Sequence, residues 1–352
     1  MTPLEPAAQA GPTNSLTDVP GLRVGHASRV GEGWLTGTTV VLATDAGAVA
    51  GVDIRGGGPG TRETDLLEPR NLIERVNAVV LSGGSAFGLA SVDGVLQGLA
   101  AAGIGLRVGS GPMEVVPIVP AAIIFDLGRG GEFRHHPGPQ MGGTALEDAR
   151  GPHGGGPVRQ GCVGAGTGAV AGGLKGGLGS ASLRLSHGQI VGALAVVNAG
   201  GSTVDPRTGR LWASSMDLDG EHEGMAERAR PAGDPASPSP TPQVKGLNTT
   251  VGVVATDAPL TKAQCQKLAE AAQDGLARAI HPAHTMFDGD TVFGLSTATS
   301  GDPVGPEVLN RLLEAAADCF SRAIGNAMLA ATSTVTPAGE WRSYAKVHLV
   351  AP

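Results

Sequence analysis

Residues 231–242 carry five prolines in twelve positions and no large apolar group. Such a segment cannot bury enough surface to offset the entropy of ordering it. Shortly after it, TVGVVATD (250–257) reads as a buried strand, an apolar β-branched run with a clear start. The proline segment therefore divides the chain into a long N-terminal part and a short C-terminal part. The short part opens on a strand and holds two helical patterns, too little for a core of its own. The two parts are expected to share one core instead of forming two domains.

That core has to be built from small residues. The chain of 352 residues contains 57 glycines and only 3% aromatics, so Ala, Val, Leu and Ile must fill it, with close backbone approaches that glycine permits. Short apolar runs bounded by turn residues, TTVVLA (38–43), AVVLSGG (78–84), QIVGALAVVNAGG (189–201) and TVFGLST (291–297), read as further strands. Helical spacing predicts helices over 85–103, 260–280 (with Thr261 as cap) and 305–331. Strands and helices are mixed without strict alternation, which favours a layered α/β (α+β) sandwich over a doubly wound sheet.

Charge and cysteine usage exclude several classes. The net charge is −7 with no basic block, which argues against a nucleic-acid partner. No apolar run is long enough for a membrane span. The first fifteen residues lack a basic segment followed by an apolar one, so they read as a disordered tail and not as a signal peptide. Three widely spaced cysteines, Cys162, Cys265 and Cys319, fit a reducing cytoplasm better than a disulfide framework.

Several motifs fail on inspection. GGSAF (83–87) has Phe87 where a nucleophile elbow needs glycine. GAVAGGLKGG (168–177) has Gly176 after Lys175 where a phosphate loop needs Ser or Thr, and GAGTGAVAGG (164–173) lacks the dinucleotide spacing. Tight backbone packing explains these glycines. HPAHTMFDGD (281–290) offers His281, His284, Asp288 and Asp290 as metal ligands, but Pro282 breaks the local spacing, so turn formation or carboxylate chemistry is favoured. The histidines of FRHHPGP (134–140) read as solvated loop residues.

Asn248–Thr249 stands where the proline-rich loop enters the buried strand. It is either a loop-to-strand boundary or a cleavage point. If the bond were cut, Thr249 would present a hydroxyl nucleophile with its own α-amine as base. An α-amine has a pKa of about 7.7–8.0, suited to proton transfer at neutral pH.

The chain resembles the DmpA-like N-terminal nucleophile hydrolases: β-aminopeptidases, D/L-aminopeptidases and 6-aminohexanoate-oligomer (nylon) endo-hydrolases. The resemblance runs through GLRVGHAS (21–28), VDIRGGGPGTRETDLL (52–67), VNAVVLSGGSAFGLASVDGV (76–95), NTTVGVVATDAPLTKAQCQKLA (248–269) and HTMFDGDTVF (284–293). Thr249 stands where the aminopeptidases usually carry Ser, and Asp288 and Asp290 stand where β-aminopeptidases typically have Ser and Glu. Both departures point toward the nylon hydrolases. The resemblance implies an αββα sandwich and an inactive precursor that cuts itself between Asn248 and Thr249. The products would be an α chain (1–248) and a β chain (249–352) sharing one domain and assembling into a homo-oligomer, a tetramer of cleaved units.

By position, Lys175 and Asn198 match active-site residues, and Asp288 and Asp290 match the acidic pair around the new amine; an expected cleft aromatic has no assigned residue. In the implied chemistry Thr249 attacks an amide, Asn198 donates to the oxyanion, Lys175 adds positive potential, and the aspartates orient the amine. No metal or organic cofactor is required. The substrate would be a small or oligomeric amide, such as an ω-amino-acid oligomer. An aminopeptidase acting on β- or D/L-amino acids, an acyl transferase of the ornithine acetyltransferase type, and an uncut scaffold are the competing readings.

Overall fold

The computed structural model describes residues 9–218, 220–222, 224–230 and 248–349. The proline-rich segment and most of the predicted N-terminal tail lie outside the described residues. The main strands, in chain order, are β1 (Arg23–Gly31), β2 (Trp34–Leu42), β3 (Ala48–Ile54), β4 (Thr61–Arg62), β5 (Arg75–Val76), β6 (Ala78–Ser82), β7 (Ala121–Ile123), β8 (Gly177–Arg184), β9 (Ile190–Asn198), β10 (Thr249–Thr256) and β11 (Thr291–Ser296). They form a five-stranded sheet in the order β1-β2-β6-β7-β4 and a six-stranded sheet in the order β8-β9-β10-β11-β3-β5. The long helices are α1 (Ser91–Ala101), α2 (Pro139–Arg150), α3 (Lys262–Ala279) and α4 (Pro306–Ala330).

Three apolar clusters show how these elements stack. Val92, Val95 and Leu99 of α1 and Leu146 of α2 pack on Val40, Val80 and Ala121 of the five-stranded sheet. That sheet's other face, with Val41, Val79 and Leu81, meets Leu194, Val196, Val251, Val253 and Phe293 of the six-stranded sheet. The far face of the second sheet, with Ala193, Ala195, Val197 and Val254, meets Leu268, Ala272 and Leu276 of α3 and Phe320 and Ile324 of α4. The alternation of Ala193, Leu194, Ala195, Val196 and Val197 between the two clusters is the period-two pleat of a strand buried on both faces. The result is an αββα sandwich.

Strand β10 lies at the centre of this arrangement. Every residue from Thr249 to Thr256 is buried. The strand pairs antiparallel with β9 and parallel with β11, the latter reached through the crossover helix α3. Thr261 caps that helix as the sequence suggests: its Oγ1 accepts the amide of Gln264 at 3.2 Å, and Gln264 Oε1 accepts the amide of Thr261 at 2.9 Å. The portions before and after the proline-rich segment thus contribute to the same sheet and the same apolar clusters.

Several elements depart from the sequence reading, among them β1, β3 and β7, for which no strand was expected. The helix expected over 85–103 is broken at Leu89–Ala90 into Ser85–Gly88 and α1, and Ser85 opens the first piece at φ +52°. Strand β8 (GLGSASLR) and helix α2 (PQMGGTALEDAR) were not anticipated, because neither shows a strong apolar period. In α2 the two adjacent glycines have opposite surroundings. A Cβ on Gly142 would sit 1.8 Å from the carbonyl oxygen of Ser91, where α1 and α2 touch, whereas a Cβ on Gly143 would meet nothing closer than 4.0 Å. Gly142→Ala is therefore expected to destabilise the fold by about 1–3 kcal/mol through overpacking. Gly143→Ala should stabilise it by about 0.5–1 kcal/mol through restored helix propensity. Thermal midpoints moving in opposite directions would confirm the close helix contact; equal shifts would refute it.

Candidate active site

The register of the six-stranded sheet places Asn198, the last residue of β9, directly across from Thr249, the first residue of β10. Cross-strand partners of an antiparallel pair share a face. By the pleat that face is the one turned toward the five-stranded sheet, since Val251 and Val253 lie there. Thr249 is 3% exposed, and its Oγ1 hydrogen-bonds the carbonyl oxygen of Asn248. The same oxygen accepts the backbone N–H of Gly289 at 3.1 Å. The Asn248–Thr249 carbonyl therefore has a hydroxyl and an amide donor against it at once. Thr250 pairs with Val197, one step along the pleat, and its hydroxyl belongs to the opposite face.

The turn between Thr285 and Asp290 holds this junction. Asn248 N–H donates to Phe287 O at 2.9 Å, and Asn248 bridges in parallel to Asp288. Gly289 has to be glycine: a Cβ there would stand 3.0 Å from Thr249 Oγ1 and 2.7 Å from the carbonyl of Gly58. Asp288 and Asp290 are both 2% exposed. Asp288 Oδ2 accepts the Thr285 amide at 2.8 Å and its hydroxyl at 2.6 Å. Asp290 Oδ1 accepts the amide of Thr250 at 2.7 Å, while Oδ2 accepts the amide of His284 at 3.1 Å and pairs with His284 Nδ1 at 2.8 Å. Asp290 is thus tied to the residue after Thr249, and His284, weighed above as a metal ligand, is its partner. Among the described residues no group of three His, Cys, Asp or Glu is arranged to hold a metal ion.

On the other side of Thr249 lies a buried polar cluster. The amide oxygen of Asn198 accepts Arg129 Nη1 and the amide of Val170, the latter at 3.1 Å, and its Nδ2 donates to Phe125 O at 3.3 Å. Val170 pairs with Lys175 in a short ribbon. Lys175 is fully buried, its Nζ donating to the carbonyls of Ala169 and Gly176 at 2.9 Å each and of Gly166 at 3.3 Å. Burial pushes its pKa down to about 8, opposed by the neighbouring Cys162 and reinforced by the charge of Arg129. Asp126 is also buried, with Oδ1 accepting the Gly84 amide at 2.7 Å. Burial pushes its carboxyl up to about 6, opposed by hydrogen bonding and by Arg129 and Lys175. Of this cluster, sequence reasoning singled out Lys175 and Asn198. It missed Arg129 and Asp126, which sit in FDLGRG (125–130), a loop with no motif.

The discarded motifs behave as packing features or differently from expectation. Cβ atoms on Gly166, Gly168 and Gly176 would come within 2.1–2.4 Å of backbone atoms, so that glycine-rich run is held against the core. The loop histidines are not simply solvated: His135 stacks on Trp34 at 4.1 Å and His136 on Phe87 at 5.2 Å.

The model of peptidase family S58 matches residues 14–342, so the chain belongs to that family. It is a peptidase, or more broadly an amidohydrolase. Among curated relatives, an uncharacterised aminopeptidase of Mycobacterium leprae is 48% identical across 92% of both chains. A 6-aminohexanoate-oligomer endohydrolase of Paenarthrobacter ureafaciens is more distant, at 29% identity over 86% of this chain and 80% of that protein. Among solved structures, a β-aminopeptidase of a Burkholderia species superposes with a TM-score of 0.74 at 24% identity, covering 98% of this chain and 95% of that one. An L-aminopeptidase D-Ala-esterase/amidase from Ochrobactrum anthropi, described as a variant of the N-terminal nucleophile hydrolase fold, gives 0.73 at 22% identity over 96% and 93%. No helix among the described residues is long and apolar enough to cross a membrane.

The buried lysine has a measurable signature. Its folded pKa of about 8 lies below the ordinary 10.5, so between those values the unfolded chain binds more protons than the folded one. Stability contributed at this site therefore rises with pH across that window. In a Thr249→Ala background, adopted so that every sample has one chain, the stability of the Lys175-containing protein relative to its Lys175→Met variant should increase from pH 8 to pH 10. Urea denaturation at the two pH values would show it, and a pH-independent difference would mean that Lys175 is charged and solvated.

Proposed function

We propose that this family S58 peptidase is a self-processing N-terminal threonine amidohydrolase. We further propose that it cuts amide bonds in short amino-acid chains, ω-amino-acid oligomers such as 6-aminohexanoate oligomers among them. The observation that carries the reading is the Asn248 carbonyl, which meets the Thr249 hydroxyl on one side and the Gly289 N–H on the other.

In maturation Thr249 Oγ adds to the Asn248 carbonyl carbon while the Gly289 N–H holds the developing oxyanion. The Oγ proton passes to the departing nitrogen as the C–N bond breaks, leaving an ester on Oγ and a free Thr249 amine, and water then releases the chain ending at Asn248. The strand stays in place through its pairing with β9 and β11. In turnover the amine takes the Oγ proton and Oγ adds to a substrate amide. The protonated amine returns its proton to the leaving nitrogen, and water hydrolyses the ester. Asn198, opposite Thr249, donates to the oxyanion. Lys175 contributes positive potential behind it, and Asp288 and Asp290 bracket the amine.

A second reading, an aminopeptidase releasing single N-terminal residues, uses the same machinery and is favoured by the aminopeptidase relative at 48% identity. The two differ in substrate, not in mechanism. Asp290 is already committed to Thr250 and His284, so recognition of a substrate amine would fall to Asp288 or to a group outside this turn.

A panel of amides with free, blocked and ω-amino termini tests the proposal. Hydrolysis of unblocked amides is expected from the wild-type and Thr249→Ser proteins and none from Thr249→Ala, at equal folded content. Full hydrolysis by Thr249→Ala would remove Thr249 as nucleophile. Predominant transfer to an added amine would make the protein an acyl transferase instead.

A further inference from the structure

Which end of the Asn198 side-chain amide faces the substrate decides whether it helps or hinders an oxyanion. An amide nitrogen carries two N–H donors, while the oxygen only accepts. Oδ1 of Asn198 is held by two donors, Arg129 Nη1 and the amide of Val170. Turning the side chain over would set its NH2 against both donors, a repulsive arrangement. In the observed orientation Nδ2 spends one N–H on the long 3.3 Å contact with Phe125 O, and the second has no partner among the described residues.

Arg129 is itself fixed on several sides. The same Nη1 reaches Gly168 O at 2.6 Å, the backbone N–H donates to Asp126 O at 3.3 Å, and the carbonyl accepts Thr336 Oγ1 at 2.6 Å. The backbone is thus held at both its N–H and its carbonyl, and Nη1, shared between Gly168 O and Asn198 Oδ1, fixes where the donor to Asn198 stands. Val170 alone would leave Oδ1 with one donor and lower the cost of the reversed amide.

We infer that Arg129 is a positioning residue: it fixes the Asn198 amide with a free N–H toward the substrate oxyanion. The inference rests on the proposed role of Asn198 in turnover. It also separates the two reactions at this site, because the scissile carbonyl of the precursor is bonded by Gly289 and not by Asn198. Loss of Arg129 should therefore slow turnover more than self-cleavage, a split that general structural damage would not produce.

The test uses full-length Arg129→Met, Arg129→Lys, Asn198→Ala and the Arg129→Met/Asn198→Ala double variant. It reads kcat and KM on one amide substrate and the rate of self-cleavage. Removing a whole oxyanion donor costs about 10²–10³ in kcat; Asn198→Ala should fall in that range, and Arg129→Met should lose at least about tenfold with KM little changed. In the Asn198→Ala background Arg129→Met should cost less than about threefold, because groups acting through one another are not additive. Arg129→Lys, whose Nζ can donate to both Gly168 O and Asn198 Oδ1, should recover most of kcat. An unchanged kcat in Arg129→Met, or the same fold loss with and without Asn198, would overturn the inference. Should Arg129→Met fail to fold, a folded Arg129→Lys as impaired as Asn198→Ala would overturn it equally. Full kcat in Asn198→Ala would remove the underlying reading of Asn198, a result distinct from all of these.

Discussion

The hydrogen bond from the Gly289 amide to the Asn248 carbonyl is the contact on which the proposed chemistry turns. It requires the turn after α3 to sit directly against the start of β10. That in turn requires β11 to run parallel to β10, so that both strands begin at the same end of the sheet. The crossover through α3 supplies that geometry, and the apolar clusters on both faces of the sheet lock it. Burial of each large aliphatic or aromatic side chain there is worth about 1.5–3 kcal/mol.

The two sides of Thr249 are chemically unlike. On one side the acidic turn is tied down by hydrogen bonds: Asp290 to Thr250 and His284, and Asp288 Oδ2 to Thr285. In the proposed mechanism these carboxylates act on Thr249 by fixing the backbone around it and by their charge. On the other side Arg129 bonds Asn198, and the buried Lys175 and Asp126 interact electrostatically with Arg129; in the proposed mechanism this is where negative charge develops on a substrate oxygen. Thr249 thus stands between an acidic turn on one side and basic side chains on the other.

Much of the architecture was legible because its signals are local. β10 and β11 are apolar runs, and α3 and α4 keep a helical period with a readable cap at Thr261. β8 escaped because its small residues answer to a distant partner: a Cβ on Gly179 would stand 2.1 Å from the carbonyl of Ala323 in α4. In α2, Gly142 is required by Ser91 in the same way. In the site, resemblance supplied Thr249, Asn198, Lys175, Asp288 and Asp290, and the structure gathers them about one strand end. Gly289 was passed over because it contributes only a backbone N–H, which no residue identity announces. His284 was weighed for the wrong chemistry, since spacing alone does not distinguish a ligand from the partner of a carboxylate. Substrate preference toward nylon-type oligomers was read from two residue departures, and the relatives at higher identity are aminopeptidases.

The central claim is that the peptide bond between Asn248 and Thr249 is the one the protein breaks in itself. Purified full-length protein, analysed by intact mass and N-terminal sequencing under denaturing conditions, tests it without any substrate. The account predicts two chains, the smaller beginning at Thr249, that remain together in native buffer. A single intact chain in active protein, or a smaller chain beginning at any other residue, would contradict it.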